Sequence, residues 1–297
     1  MKKLIVKIEN NKNMLLSKYV CNQFKNMLYS SFCKALRNKD IRINDVKVNK
    51  DCLIKNEDNI TIYIKDEILF GYNENIDIIY EDDNILAVYK PKGIISNKQE
   101  KTINLNEITF EDIVKKYNNN IKICHRLDRN TDGIILFSKT DTAYNELLNG
   151  FKNGYIDKNY IAYVHNYKFK SKHSKEEAYI FTDKKEGFSY ISSIAKKGYE
   201  KIITEYTVVY EDKIKDYAKL SIKLHTGKTH QIRAHLKALN HPVIGDSKYG
   251  INEINKKFKK NKQCLTAFKY KFNYNENSKL KYLNDIIIKL KEEKIKF

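Results

Sequence analysis

The stretch CHRLDRNTDGIILFSKT, residues 124–140, sets one carboxylate, Asp128, between Arg126 and Arg129, then runs through Gly133 into the apolar segment Ile134–Lys139. Its first half reads as a polar loop and its second half as a buried strand. Flanking positive charge favours the ionised form of an aspartate. An ionised, fixed carboxylate serves as a nucleophile or an electrostatic stabiliser, and is a poor proton donor near neutral pH. An aspartate in an ordinary loop ion pair shows the same local pattern, so the block has to be read with its surroundings.

Those surroundings single it out. Only five of the 56 basic residues are arginine: Arg37, Arg42, Arg126, Arg129 and Arg233. A chain that writes lysine almost everywhere uses arginine where a planar fork is needed. Three of the five arginines, both prolines (Pro91 and Pro242) and five of the ten glycines fall within residues 88–97, 124–139 and 223–250. Chemistry is expected in these three blocks.

Upstream, Ile76–Tyr80 and Ile85–Lys90 flank EDDN and predict a hairpin, which Lys90-Pro91-Lys92-Gly93 breaks. Thr109 is placed to cap a helix over TFEDIVKKY. Downstream, Thr140 is placed to cap a helix with Tyr144, Leu147, Leu148 and Phe151 at i, i+3, i+4 and i+7, and Gly154 suits its end. Lys158–Val164, Lys201–Tyr210 and Tyr217–His225 alternate like strands. The turn Thr226-Gly227-Lys228-Thr229 leads into a helix from about His230 to Leu239, with Thr229 as cap and Ile232, Leu236 and Leu239 as buried face. Free N–H groups at that helix start, with Lys228 beside them, would suit a phosphate. The lysine-rich tail from Ser278 has the spacing of an outer helix. Strands in pairs with intervening helices indicate the α+β class and not repeated βαβ units.

Residues 1–66 read as a separate small α/β unit. Leu15, Leu16, Tyr19, Val20 and Phe24 mark one helix, and SFCKALRNK a second that Ser30 or Ser31 could cap. Ile41–Asn44, Val46–Asn49 and Ile60–Ile64 read as strands, with turns at Asn44-Asp45 and Lys55–Asn59. Lys34 and Arg37 are three apart and share a helix face, and Arg42 follows on the next strand. Residues 67–75 read as a linker with Gly71 as pivot, and residues 76–297 as the large domain.

Composition bounds the answer. The 297 residues are 41% hydrophobic, enough for a sizeable core. No stretch approaches the ~20 apolar residues of a membrane span, and the N-terminus lacks the apolar segment of a secretory signal. The five cysteines (Cys21, Cys33, Cys52, Cys124 and Cys264) are scattered, odd in number and without a CxxC pair. That argues against a disulfide framework or a cysteine zinc site and fits a cytoplasmic protein. The formal charge of +19 favours a polyanionic partner such as nucleic acid. A lysine-, asparagine- and isoleucine-rich composition of the kind an AT-rich coding sequence produces would raise that charge as well. Residues 1–70 hold 14 basic and 8 acidic residues, so +6 of the surplus lies there.

HRLD, two residues, Thr-x-Gly and then LF-x-K resembles the catalytic signature of pseudouridine synthases. More narrowly it is similar to the family that modifies large-subunit ribosomal RNA and some transfer RNA, often called the RluA family. EDDNILAVYKPKG resembles that family's opening hairpin, and Lys158, Tyr160, Ala162 and Val164 match its K-x-Y-x-A-x-V strand. LHTGKTHQIRAHLKALNHPVIGDSKYG follows its long T-G-x-T-H-Q-I-R to G-D-x-x-Y-G signature. The resemblance covers about residues 76–272. The small unit, with its two helices, short strands and a turn before ITIYI, resembles the RNA-binding module first seen in ribosomal small-subunit protein four.

The resemblance implies a mixed, largely antiparallel central sheet with flanking helices. It implies an isomerase that converts uridine to pseudouridine, in ribosomal RNA before transfer RNA, with a non-catalytic RNA-binding or ribosome-assembly factor as the alternative. Asp128 would be the catalytic carboxylate, Tyr160 would lie against the target base, and Arg233 would pair with Asp128. Arg126 would reach into the RNA helix. Arg129, Lys228, Lys34, Arg37 and Arg42 would be further RNA contacts. Whether the carboxylate adds covalently or removes a sugar proton stays open. The reaction has no redox step and no leaving phosphate, so no cofactor or metal is expected, and a monomer is the default. His225, His230 and His235 recur every five residues, which turns them about 140° apart on a helix and gives no shared ligand face. Three positions depart from the family pattern: Asp132 stands where Ser is usual, Lys228 where Arg is usual, and Thr266 where His is common.

Overall fold

A computed structural model describes residues 2–8, 14–24, 27, 29–64, 76–98, 108–295 and 297. The chain divides into two compact units, residues 1–75 with 98–116, and residues 76–97 with 117–297. The expected large domain is therefore interrupted, since residues 98–116 group with the first unit. The expected linker, residues 67–75, lies outside the described residues.

In the first unit β1 (Lys2–Lys7) pairs antiparallel with β6 (Asn59–Ile64), which pairs with β3 (Ile41–Ile43), and β3 with β4 (Val46–Lys47). Asn44 and Asp45 join β3 to β4 with φ of 49° and 65°. These are the left-handed values of a tight hairpin turn, which Asn and Asp tolerate. Helices α1 (Leu16–Gln23) and α2 (Tyr29–Arg37) supply Leu16, Val20, Phe32 and Leu36 to a core shared with Ile41, Ile60 and Ile62. A two-residue strand β2 (Met14–Leu15) pairs with β5 (Leu53–Ile54). Leu15 lies in β2 and is exposed, so it is no part of the α1 face. Helix α2 begins at Tyr29, before Ser30 and Ser31, so neither serine precedes it as cap. Helix α3 (Phe110–Tyr117) starts on a reciprocal cap. Thr109 Oγ1 accepts the Asp112 N–H at 3.1 Å, and Asp112 Oδ2 accepts the Thr109 N–H at 2.9 Å.

The second unit is built on an 11-stranded sheet. The hairpin β7 (Asp77–Glu81) and β8 (Ile85–Lys90) continues into β10 (Asp132–Ser138), which also carries β9 (Lys122–Ile123). Beyond β10 lie β16 (Leu265–Phe272), β11 (Ile156–His165), β15 (Tyr217–Leu224), β14 (Glu200–Asp212), β12 (His173–Asp183) and β13 (Phe188–Ser192). Every pairing is antiparallel except β10 with β16. The sheet is thus mixed and largely antiparallel, and the α+β expectation holds. At the parallel seam Gly133 has φ +124°, and a side chain there would collide with the Ala267 backbone. Only glycine allows so close an approach.

Helix α4 (Asp141–Asn153) is capped by the Thr140 side chain, which accepts from the Ala143 N–H, and ends on left-handed Gly154. It packs Ala143, Leu147 and Gly150 onto the sheet, with Tyr144 and Phe151 partly buried. Leu148, predicted on the same apolar stripe, is 39% exposed. Helix α5 (Gln231–Ala238) departs from expectation at its start: its N-cap is His230, not Thr229, with φ 57° and no side-chain cap bond. The Gln231 side chain instead braces the turn before the helix, its Oε1 accepting from Thr226 Oγ1 at 2.9 Å and from the Lys228 N–H at 3.1 Å. Ile232 and Leu236 are buried, as expected of the helix face, but Leu239 is only half-buried. A short helix α6 (Asn252–Lys257) follows. The tail is not an outer helix. It forms a 3-10 turn (Lys281–Asp285) and then β17 (Ile287–Lys289), which pairs with β16. Its β-branched Ile286–Ile288 run explains the preference for strand.

Candidate active site

The loop from Cys124 to Thr131 is pinned along its length by groups from distant segments. His125 Nε2 accepts the Leu136 N–H at 2.9 Å, and its ring packs on Phe151 and Tyr270 with centroids 4.7 and 5.4 Å away. Burial, helped by the charge of Lys158, pushes the His125 pKa down to about 3. The imidazole is therefore a neutral structural acceptor. Leu127 exchanges two hydrogen bonds with Ser96: its N–H donates to Oγ at 2.9 Å, and Oγ–H donates to its carbonyl at 2.8 Å. The Arg129 carbonyl accepts from the Gly93 N–H at 2.7 Å and from Lys90 Nζ at 3.3 Å. Lys90 is fully buried, also donates to the carbonyls of Pro91 and Ile94, and burial lowers its pKa to about 7. Gln263 closes the loop by donating to Thr131 Oγ1 at 2.6 Å.

Asp128, held at the middle of this loop, is ion-paired to Arg233 of α5, with Nη1 to Oδ2 at 2.8 Å. The same guanidinium binds Asp246 through Nε at 2.5 Å and through Nη2 at 2.9 Å. One planar fork thus joins two carboxylates, a geometry that lysine cannot provide. Side-chain exposure is 6% for Arg233 and 0% for Asp246, against 23% for Asp128. Burial opposes the Arg233 charge, but hydrogen bonds and charge from Asp246 and Asp128 outweigh it and hold the guanidinium ionised. Burial likewise opposes ionisation of Asp246, yet Arg233 and the N–H groups of Lys248 and Tyr249 keep its pKa below the usual carboxylate range.

Asp128 and Arg233 open onto a cavity of about 470 Å³, a size suited to a small ligand. Tyr160 lines it from β11, together with apolar side chains of Leu148, Phe151, Leu224, Ile232 and Leu265. Tyr160 is buried, and that burial raises its pKa. The exposed Leu148 therefore has a place at this cavity and not in the core. Lys158 also lines it, its ammonium 6.0 Å from the Phe151 ring centroid, and burial lowers its pKa.

The structure brings Asp128, Tyr160 and Arg233 together, and Asp128 is paired with Arg233 of α5, the partner that the resemblance implies. Arg126 is exposed and lines the cavity, whereas Arg129 does not line it and joins the loop through its carbonyl. Lys228 lines the cavity with its ammonium paired to Glu200, and its N–H is taken by Gln231. The expected phosphate cradle at that turn therefore has its first amide occupied. In the small unit Lys34 and Arg37 are exposed on α2, and the Arg42 guanidinium lies 5.0 Å from the Tyr63 ring centroid. Sequence reading gave no role to Asp246, although a lone acid between apolar Val243-Ile244 and the following turn was a usable signal. It also missed His125, whose role is visible only once β10 is beside it.

A sequence model of the family described as RNA pseudouridylate synthase matches residues 84–238, more than half of the chain and all three residues at the cavity. The chain belongs to this family. An uncharacterized RNA pseudouridine synthase of Mycoplasma capricolum subsp. capricolum is 31% identical over 97% of this chain and 97% of its own. The protein named ribosomal large subunit pseudouridine synthase C in Buchnera aphidicola subsp. Baizongia pistaciae is 31% identical over 87% of this chain and 85% of its own. A ribosomal large subunit pseudouridine synthase D of Borreliella burgdorferi is 30% identical, covering 75% and 73%. Among solved structures, human RNA pseudouridylate synthase domain containing 1 superposes with a TM-score of 0.55 at 23% identity, covering 67% of this chain and 79% of that one, a likeness of fold. This RNA pseudouridine synthase is accordingly an isomerase with RNA as its substrate.

Proposed function

We propose that this RNA pseudouridine synthase isomerises uridines of large-subunit ribosomal RNA, with Asp128 as the reacting carboxylate. The observation that carries the assignment is the Asp128–Arg233 ion pair at a cavity lined by Tyr160 and by both apolar and basic side chains. The reaction breaks the bond from ribose C1′ to uracil N1 and forms one from C1′ to C5. The C5 proton leaves and N1 gains a proton, so no atoms are gained or lost overall. Chemistry at that carbon requires the base to leave its stack, at a cost of a few kcal/mol. The Tyr160 ring offers a face for the extruded uracil, and stacking recovers roughly 1–3 kcal/mol. Arg126, exposed at the cavity, is placed to hold the nucleotide out of the helix. Arg129 and Lys228 add positive charge to the same region, Lys228 after release from Glu200.

The ribosomal target is supported by the names of two of the relatives above and by the small unit, which we read as an RNA-binding module presenting Lys34, Arg37 and Arg42. The scattered, unpaired cysteines support a cytoplasmic location, and a monomer is the default expectation. The test is Asp128→Asn. Pseudouridine formation should vanish while RNA binding survives, and an unchanged rate removes Asp128 from its role. Chemical mapping of pseudouridine in total RNA, with and without the protein, should lose a signal in large-subunit ribosomal RNA. Loss confined to transfer RNA would overturn the target.

A further inference from the structure

His230 opens α5 in the left-handed backbone region, φ 57°, which few side chains other than those of Asn, Asp and His adopt. Its side chain caps nothing in the helix and lines the cavity beside Asp128 and Arg233. Asparagine or glycine would meet the same backbone requirement, so the imidazole needs another explanation.

Its surroundings fix how the ring is protonated. Tyr249 is buried, and its hydroxyl oxygen accepts the Ser189 N–H at 2.7 Å. The same hydroxyl lies 3.0 Å from His230 Nδ1, and with its oxygen already accepting from Ser189, donation of the phenol proton to Nδ1 is the arrangement that satisfies both groups. Burial lowers the imidazole pKa, which favours the neutral ring. A neutral ring that accepts at Nδ1 carries its proton on Nε2. Arg126, Lys158 and Lys228 bring charged donors to the same cavity, whereas His230 brings a neutral one beside Asp128 and Arg233. Asp128 when ionised only accepts, and three nitrogens of Arg233 are engaged by carboxylates.

We propose that His230 donates its Nε2–H to an oxygen of the nucleotide extruded into the cavity, a uracil carbonyl or a flanking phosphate. Tyr249 is the positioning residue that selects the donating tautomer. The proposal rests on the reading of this cavity as the site that receives the target uridine. A ring that must detach, turn and be reattached needs a fixed partner, and one neutral donor supplies that without adding a charge.

The test uses the full chain and a short synthetic RNA containing the mapped uridine. His230→Asn keeps a residue that tolerates φ above zero and removes the imidazole. Its single-turnover rate should fall ~10- to 100-fold, the effect of one well-placed hydrogen bond. A rate equal to that of the unaltered protein overturns the proposal. Tyr249→Phe should slow turnover by a smaller factor, and nitrogen-15 NMR should show the Nε2–H tautomer of His230 giving way to a mixture. An Nδ1–H tautomer in the unaltered protein also overturns it. A methylphosphonate beside the target and a thiouridine at the target separate the two acceptors. Non-additivity of His230→Asn with either one supports the proposal and identifies the oxygen, and additivity with both overturns it. Failure of the unaltered protein to form any pseudouridine would instead strike the reading of the cavity beneath both.

Discussion

The Thr266 hydroxyl donates to Asp132 Oδ1 at 2.7 Å, which joins two of the positions at which this chain departs from its family's pattern. Strands β10 and β16 run parallel there, with Asp132 opposite Thr266 and Gly133 opposite Ala267. The other Asp132 oxygen accepts from the Tyr89 hydroxyl at 3.1 Å and lies 3.7 Å from the Lys92 ammonium. The Asp132 carboxylate is thus held from two sides, by Thr266 on the neighbouring strand and by Tyr89 and Lys92 of the opening hairpin.

Asp132→Ser and Thr266→His should therefore fail to add. Each alone is expected to destabilise by about 1–2 kcal/mol, by leaving buried polar groups short of partners. The double variant should recover at least about 1 kcal/mol of the sum. Urea titration of the four proteins gives the coupling, and strictly additive values would show that the two sites are independent.

Arg233→Lys should be severe despite conserving charge. An ammonium cannot make the three directed bonds that Arg233 makes to Asp128 and Asp246. About 3 kcal/mol of stability should be lost, because Asp246 would remain buried and poorly paired. Pseudouridine formation should drop at least ~100-fold, twice the tenfold step of 1.36 kcal/mol. Retention of most activity would mean that the fork is dispensable.

The depressed His125 pKa makes stability depend on pH. The unfolded histidine takes up a proton near pH 6.5, whereas the folded one resists until about 3. The unfolded chain thus binds more protons in that window, so the free energy of unfolding rises with pH from about 3 to 6.5. His125 alone should remove about 2 kcal/mol of stability between pH 7 and pH 5. His125→Gln should lower stability at neutral pH and flatten that slope, measured as the difference between the two proteins' denaturation curves. His235, which burial holds near 4, keeps its own share in both proteins.

Gly133→Ala tests the parallel seam. The added methyl meets the Ala267 backbone in a region of φ that non-glycine residues avoid. A loss of more than about 3 kcal/mol is expected, read from the thermal midpoint. A neutral substitution would mean that β10 and β16 can part without penalty.

RNA affinity should fall at least ~100-fold between about 50 and 200 mM salt, because lysine–phosphate contacts release counterions. Filter binding or anisotropy would measure it, and a flat response would remove the electrostatic contribution that the +19 charge suggests.

Much of the site was legible because its parts sit in short blocks with unusual residue types. Rare arginines marked Arg233 and Arg126, and the cap and glycine of α4 were readable from Thr140 and Gly154 alone. The least legible elements were β12 and β16. In β12 only Ala178 and Ile180 are buried, and charges occupy much of its other face. In β16 lysines alternate late in the strand, which hides the buried Leu265, Ala267 and Tyr270. The start of α5 was misplaced for another reason. Gln231 fastens the preceding turn and caps nothing, and His230 adopts a left-handed conformation that no local pattern signals.

Asp246 is sealed from solvent and is itself held by the N–H groups of Lys248 and Tyr249, at 2.8 and 3.1 Å. The arginine it grips is therefore aimed by bonds within the protein itself. Preorganisation of this kind means that no lid has to shut to assemble the charged centre, and reorganisation energy is met during folding, once, instead of at every turnover.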